Sequence, residues 1–279
     1  MSKPKLFFIT GVSTGFGRAL AETALAEGHK VVGTIRKEAD RGAFESLKPG
    51  HAVAMLLDVT DTGRIKPVIA DVEARIGGID VLVNNAGYGH EGVFEESSIE
   101  DLRHQFDVNV FGPAALMQAV LPYMRGRRSG HILNITSMGG FITLPGLSYY
   151  HGSKFALEGI SEAVAKEVKD FGIHVTAVEP GGFRTDWAGR SMNRAPRSIP
   201  DYDRLFDPMR ARRQGYSGKQ QGDPAKAARA MLQLVDAQDP PMHLLLGQDA
   251  LTLVREKMAD WQAEIAAWEA VTVATGFQE

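Results

Sequence analysis

A chain of 279 residues, 44% hydrophobic and 23% charged, can bury the core of one large domain, and its net charge of −3 leaves no electrostatic footprint for nucleic acid. No cysteine is present, which excludes a disulfide scaffold, thiolate metal ligation and a cysteine nucleophile. No apolar run approaches a membrane span, and the opening MSKPKLFFIT is too short in apolar residues for a secretion signal, so a soluble cytoplasmic protein is expected.

Seven short apolar runs read as strands: residues 6–10, 30–35, 52–57, 80–85, 131–136, 174–180 and 242–247. Several lack polar alternation, as strands buried on both faces do. Between most of them lie stretches with apolar residues at three- and four-residue spacing, among them 18–29, 63–78 and 155–172. This alternation predicts an α/β fold with a Rossmann-type, doubly wound parallel sheet of about seven strands and helices on both faces. The rhythm breaks at 184–213, which carries eight arginines, four aspartates and three prolines. A segment of this kind in a compact domain reads as a solvated excursion or a binding lid, and the lid is expected to span 184–222 within a single domain of residues 1–279.

After the first strand the sequence TGVSTGFGRAL places Gly11, Gly15 and Gly17 in a turn that leads into a helix. Glycines let the backbone approach a ligand closely, and a helix N-terminus attracts anions, so a pyrophosphate suits the turn. The spacing to a lysine that an ATP-binding loop needs is absent. The second strand ends in TIRKE, about where a parallel nucleotide-binding sheet meets the adenosine ribose. Arg36 there suits a 2′-phosphate, so NADP(H) is favoured over NAD(H).

In LSYYHGSK, residues four apart share a helix face and residues five apart do not, so Tyr150, and not Tyr149, is aligned with Lys154. A lysine ammonium one turn away is expected to lower the tyrosine's pKa. His151 falls on another face and reads as structural or exposed. The histidines show no metal-ligand spacing, so no metal site is expected. Trp261 and Trp268 are seven apart on one helical face, suited to core or subunit packing.

Together with NNAG at 84–87 and the ordered segments LDVTD, NVFGP, SYYHGSK and EPGGFRTD, these features give a chain that resembles a classical short-chain dehydrogenase/reductase, in wording closest to the branch of 17-beta-hydroxysteroid dehydrogenases. The resemblance implies a catalytic tetrad of Asn109, Ser137, Tyr150 and Lys154. It implies cofactor contacts from Gly11, Ser13, Gly15, Phe16, Gly17, Asp58, Val59, Asn85, Ala86, Gly87, Pro180, Gly181, Phe183 and Thr185, with Tyr150 and Lys154 beside the nicotinamide ribose. Tyr150 would act as general acid/base, Ser137 would hold the substrate oxygen, and Asn109 would hold a water that passes protons from the lysine. The activity implied is hydride transfer between nicotinamide and a ketone, aldehyde or secondary alcohol in a homodimer or homotetramer. Met138, Phe141, Leu144 and Trp187 are expected to line the substrate pocket around an apolar small molecule. A catalytically silent NADP-binding sensor is the competing reading; it would usually have lost part of the tetrad. Two positions depart from the family pattern: Gly152 replaces the usual alanine, and Phe183 replaces a smaller aliphatic residue.

Overall fold

The computed structural model describes residues 3–277. Its elements in chain order are β1 (Leu6–Ile9), α1 (Gly15–Ala26), β2 (Lys30–Ile35), α2 (Arg41–Glu45), β3 (Ala52–Leu56), α3 (Thr62–Arg75), β4 (Val81–Asn84), β5 (Gly89–Glu91), α4 (Ile99–Phe106), α5 (Gly112–Arg127), β6 (Gly130–Ile135), α6 (Ser148–Val168), β7 (Ile173–Pro180), β8 (Met192–Arg194), α7 (Asp203–Tyr216), α8 (Pro224–Asp236), β9 (His243–Leu246) and α9 (Gln248–Val273).

All seven expected strands form, within a residue or so at each end, and pair in parallel in the order β3-β2-β1-β4-β6-β7-β9. The chain starts in the middle of the sheet, builds outward to β3, then returns to β1 and builds the other way. The carboxyl ends of β1 and β4 therefore flank the point where strand order reverses, the usual ligand crevice of such sheets.

Alternation within β1 shows why two helical layers are needed. Phe7 and Ile9 join one fully buried cluster with Leu20 and Ala24 of α1 and Met231 of α8, whereas Leu6 and Phe8 join another with Ile69 of α3 and Leu116 and Val120 of α5. Both faces of the strand are thus covered, and its run of four apolar residues has no solvent side to mark with polar alternation.

The sequence pattern did not anticipate β5 and β8, two three-residue strands that pair in parallel with each other away from the main sheet. They stitch the segment after β4 to the arginine-rich region. That region is ordered: it leaves the sheet at Phe183, passes through β8 and the helix α7, and returns at Gly222, which bridges to Phe183. Among the described residues no helix is long and apolar enough to cross a membrane.

Candidate active site

The glycine turn is built by close approach of backbone to backbone. Gly11 and Gly15 adopt φ of +70° and +61°, a region that side chains disfavour. A methyl group on Gly17 would lie 2.3 Å from the Gly11 carbonyl oxygen and 2.4 Å from Asn85 Nδ2. Asn85 closes this contact by donating to the carbonyls of Thr10 (2.8 Å) and Gly11 (3.0 Å), and the Thr10 hydroxyl accepts from the backbone N–H groups of Asn85 and Ala86 (both 2.9 Å). Thr10, which the sequence reading did not single out, thereby locks the end of β1 to the segment after β4. Its signal was its place between strand and first glycine.

Beside the turn is a cleft of about 420 Å³ lined by Thr14, Gly15 and Arg18 on one side and by Arg184, Thr185 and Asp186 on the other. The N-terminus of α1 makes it a place for an anion, although Arg18 is paired with Glu22 (2.6 Å), which also lines the cleft, and Arg184 donates to the Gln220 carbonyl (2.6 Å). Phe16 and Phe183 meet edge to face at 5.0 Å across the same junction, so the bulk of Phe183 is absorbed by packing. Pro180 ends β7, and at the Gly181–Gly182 turn the Gly182 N–H donates to Asp249 of α9 (2.7 Å). A methyl group on Gly181 would collide with that carboxylate at 2.3 Å.

Farther along the strand ends, Asp58 accepts from the Thr60 N–H (3.0 Å) and hydroxyl (2.8 Å). Burial opposes its charge, but these hydrogen bonds and the charges of Arg36 and His104 prevail and hold its pKa below the usual value. Val59 is buried beneath it. Arg36 is exposed at the tip of β2, with its field directed at Asp58. The first acid after it, Glu38, is engaged by Arg41. Ser13 donates to Asp40 (3.1 Å).

Four further side chains converge from three elements. Ser137 follows β6, and its hydroxyl accepts from the Gly139 N–H (3.0 Å). Tyr150 and Lys154 stand one turn apart on α6, both buried, with the ammonium 5.8 Å from the phenol ring centre and donating to the Ile135 carbonyl (2.8 Å). Asn109 sits in a single π-helical turn, residues 107–111, between α4 and α5. Such turns often mark functional positions, because they displace one side chain from the helical ladder. Asn109 bonds both backbone groups of Tyr88 (3.2 and 3.1 Å) and donates to Ser153 Oγ (3.1 Å), which in turn donates to the Tyr150 carbonyl (2.7 Å). Ser153 thus couples Asn109 to α6, and was visible in the sequence only as a small residue between tyrosine and lysine. A methyl group on Gly87 would lie 3.2 Å from Asn109 Oδ1, a tight contact.

The expected effect of the lysine on the tyrosine is not what the structure shows. Burial pushes the Tyr150 pKa up to about 12, with a hydrogen bond to Ser137 acting weakly the other way. Burial also brings Lys154 down to about 8, partly offset by Glu158. Desolvation wins because the ammonium faces the ring and a carbonyl and the whole pair is dry. The site therefore holds a protonated phenol at neutral pH.

The other residues fall into place around this pair. Of the two alternatives for His151 the structure shows the structural one, not the exposed one: its Nδ1 meets the Gly139 carbonyl (2.8 Å), its Nε2 accepts from the Leu144 N–H (2.9 Å), and burial lowers its pKa. It braces the loop that follows Ser137. Tyr149 donates to the Ser97 carbonyl and stacks on His90 at 4.9 Å, a packing role. Trp187 leans over Tyr150 at 4.9 Å and forms an apolar cluster with Leu147, Tyr150 and Met192. Met138 is partly buried next to Ser137. Phe141 and Leu144, also expected in the substrate pocket, lie on the loop between Ser137 and α6. Phe141 packs edge-on against His243 at 5.5 Å, and Leu144 opens onto a separate surface hollow with Phe94 and Phe155.

Behind Lys154, Glu158 and Glu179 are buried next to each other, and His243 bonds Glu179 at 2.7 Å. Their ligand atoms lie within 4.8 Å of one another, a grouping drawn from three elements and invisible to sequence spacing. Burial raises Glu158 to about 7 and Glu179 to about 8. Burial thus favours the protonated form of both carboxyls.

Taken together, a doubly wound parallel sheet with a glycine cradle and a buried Ser–Tyr–Lys set at its strand ends defines a nucleotide-dependent oxidoreductase architecture. The comparisons with known proteins agree. The model of the short chain dehydrogenase family matches residues 5–195, and the chain belongs to that family. It is 36% identical to the oxidoreductase BOA17 of Botryotinia fuckeliana over 97% of this chain and 99% of that protein. It is 34% identical to the NADPH-dependent 3-dehydrocapnine reductase of Ornithobacterium rhinotracheale over 71% of this chain and 72% of that one. A solved short-chain dehydrogenase from Streptomyces avermitilis superposes with a TM-score of 0.91 at 42% identity, covering 99% of this chain and 100% of that one.

Proposed function

We propose that the chain is an NADP(H)-dependent carbonyl reductase, with Tyr150 as the proton donor. The observation that carries this reading is the convergence of Ser137, Tyr150, Lys154 and Asn109 at the same strand ends as the glycine cradle. In the cradle, Gly11, Ser13, Gly15, Phe16, Gly17 and Thr185 would hold the pyrophosphate, Asp58 and Val59 the adenine, and Asn85, Ala86 and Gly87 the middle of the cofactor. Pro180, Gly181 and Phe183 would hold the carboxamide, and Lys154 with Tyr150 the nicotinamide ribose. The bound nicotinamide supplies or accepts the hydride.

The chain's own residues supply the proton and the electrostatics. Ser137 donates a hydrogen bond to the substrate carbonyl oxygen and stabilises the charge that develops there. The Tyr150 phenol, kept protonated by burial, gives its proton to the same oxygen. Lys154, with its proton held near pH 8, and Asn109 restore that proton from the solvent side. Alcohol oxidation, which needs the phenolate as base, gains as pH rises. Trp187, Met192 and the 184–222 segment form a lid over an apolar substrate body. The absence of cysteine is compatible with a cytoplasmic setting.

NADP(H) preference rests on Arg36, exposed near the adenosine end, and on the engagement of Glu38 by Arg41, which leaves no carboxylate committed to a free 2′-hydroxyl. The similarity to an NADPH-dependent reductase points the same way. The test is a fluorescence titration with NADPH and NADH of the wild type and of Arg36→Asp, followed by a ketone panel read at the reduced-cofactor absorbance. A preference for NADPH of tenfold or more that is lost in the variant supports the reading. Equal binding of both cofactors removes the assignment of Arg36, and tight binding without turnover of any ketone, aldehyde or alcohol favours the sensor.

A further inference from the structure

The helix α9 begins in the fold and ends outside it. Ala250 and Val254 are buried, Asp249 holds the Gly182 backbone, and from Arg255 to Phe277 every described residue is exposed. The exposed part is not a polar helix. Met258, Trp261, Ile265 and Trp268 are 57–65% exposed and recur at three- and four-residue spacing in continuation of Val254, a heptad seam in which Val254, Trp261 and Trp268 take one core position and Met258 and Ile265 the other. Two tryptophans on such a seam are costly to leave in water, and a helix projecting without tertiary packing draws little stability of its own.

We propose that this seam is covered by the same seam of a second copy of the chain, in an antiparallel two-helix pairing about a two-fold axis near Ala263. The charges that flank the seam decide both the occupant and the direction. Arg255 and Lys257 flank it at the end near the domain, and Glu264 and Glu269 flank it toward the free end. Antiparallel helices bring like flanks together, so Arg255 faces Glu269 of the partner subunit in two symmetry-related pairs, against a single meeting of Glu264 with Glu264 of the partner subunit beside the axis. A parallel pair would instead set Glu264 against Glu269 of the partner subunit, like charge on like. Antiparallel pairing also stacks Met258 on Trp268 of the partner subunit and Trp261 on Ile265 of the partner subunit, large against smaller in each layer. Counting roughly 100 Å² for each of these four side chains and Val271 on both copies, about 1,000 Å² is removed from water before the flanking stems are added, which reaches the scale of a specific interface. The inference uses no part of the reductase reading and stands or falls separately from it.

The experiment is a molar-mass measurement by light scattering on wild type and on the double variant Trp261→Glu, Trp268→Glu, with far-UV circular dichroism and nucleotide binding as controls for folding. Wild type heavier than one chain, and a halving of that mass in the variant with nucleotide binding retained, is the expected result. The chain has no cysteine, so single cysteines report geometry. With a short bifunctional thiol reagent Gln262→Cys should crosslink to its own mate. Val273→Cys should not, because antiparallel helices hold that pair about 30 Å apart at 1.5 Å per residue. A monomeric wild type, or a variant of unchanged mass, overturns the proposal. Crosslinking at 273 and not at 262 overturns the antiparallel arrangement, and sedimentation of monomeric wild type with phosphatidylglycerol vesicles assigns the seam to a lipid surface instead.

Discussion

The cleft beside α1 is walled by two regions built on opposite plans. One wall, the β1–α1 turn, is fixed by backbone: glycines at positive φ, a contact that admits no Cβ at Gly17, and Thr10 and Asn85 tying two strand ends together. The other, the 184–222 segment, is fixed by charge. Glu91 of β5 is fully buried and receives Arg194 at 2.8 Å, Arg213 at 2.5 Å and Arg210 at 3.7 Å. Arg197 gathers Glu96, Asp203 and Asp207 in the same way. The arginines that stand out in the sequence are therefore largely spent on latching the segment down. The first wall has no alternative arrangement. The second is a set of ion pairs gathered around one buried acid.

The sharpest test of the shared chemistry is Tyr150→Phe. The ring stays under Trp187 and only the proton is lost, so kcat should fall by about 10³-fold while NADPH affinity changes little. Stopped-flow turnover beside a binding titration separates the two. Activity within tenfold of wild type would assign the proton to another group.

Next in size is Glu91→Ala, aimed at the charge-built wall. Removing a fully buried acid strands three partly buried guanidinium groups, a loss of about 3 kcal/mol confined to the latch. The expected outcome is rapid proteolytic cleavage within 184–222 and a raised KM for the ketone, with an unaltered NADPH dissociation constant. If cofactor affinity falls in parallel, the two walls are one cooperative unit and the contrast drawn between them fails.

A third test concerns the buried acids behind Lys154. The folded protein holds a proton on Glu179 up to about pH 8, whereas the free side chain loses it near 4.5. The folded state therefore binds more protons between those values, and the stabilisation present below about pH 4.5 is lost as pH rises through 8. Glu179→Gln cannot ionise. Its melting temperature should match wild type at pH 5 and exceed it by several degrees at pH 9. A constant difference across that range would mean that the acid is already ionised when folded.

What could be read from the sequence follows the same division. The seven core strands were legible because each is short, apolar and punctuated. The cradle was legible because Gly11, Gly15 and Gly17 act through local spacing, as do Tyr150 and Lys154 on one helix face. The short strands β5 and β8 were not, because three residues carry no periodicity and the two pair across about one hundred positions. Nor was the Glu91 latch, since a single glutamate in GHEG gives no sign of burial until the arginines arrive. The surroundings of Phe141 and Leu144 were not legible for a related reason: their loop is shaped by His151, whose two ring nitrogens bind backbone on either side. The tyrosine's acidity was misjudged because helix spacing reports who is near, whereas the pKa is set mainly by how much water is gone.

Gly152 gives the smallest effect and the cleanest contrast with Gly17. Both are helical glycines of the site region, yet a methyl group at Gly152 would meet only Phe106, at 3.8 Å, an ordinary contact on an exposed face. The glycine of the cradle is therefore required by sterics and that of the catalytic helix is not. Gly152→Ala should stabilise the protein by roughly 0.5–1 kcal/mol through reduced backbone freedom in the unfolded chain, with kcat and cofactor affinity unchanged. Gly17→Ala, with its 2.3 Å collision, should lose nucleotide binding. Denaturant titration reads the first and fluorescence the second. A loss of activity in Gly152→Ala would show that the turn holding Tyr150 must flex during the reaction, a demand that its packing gives no reason to expect.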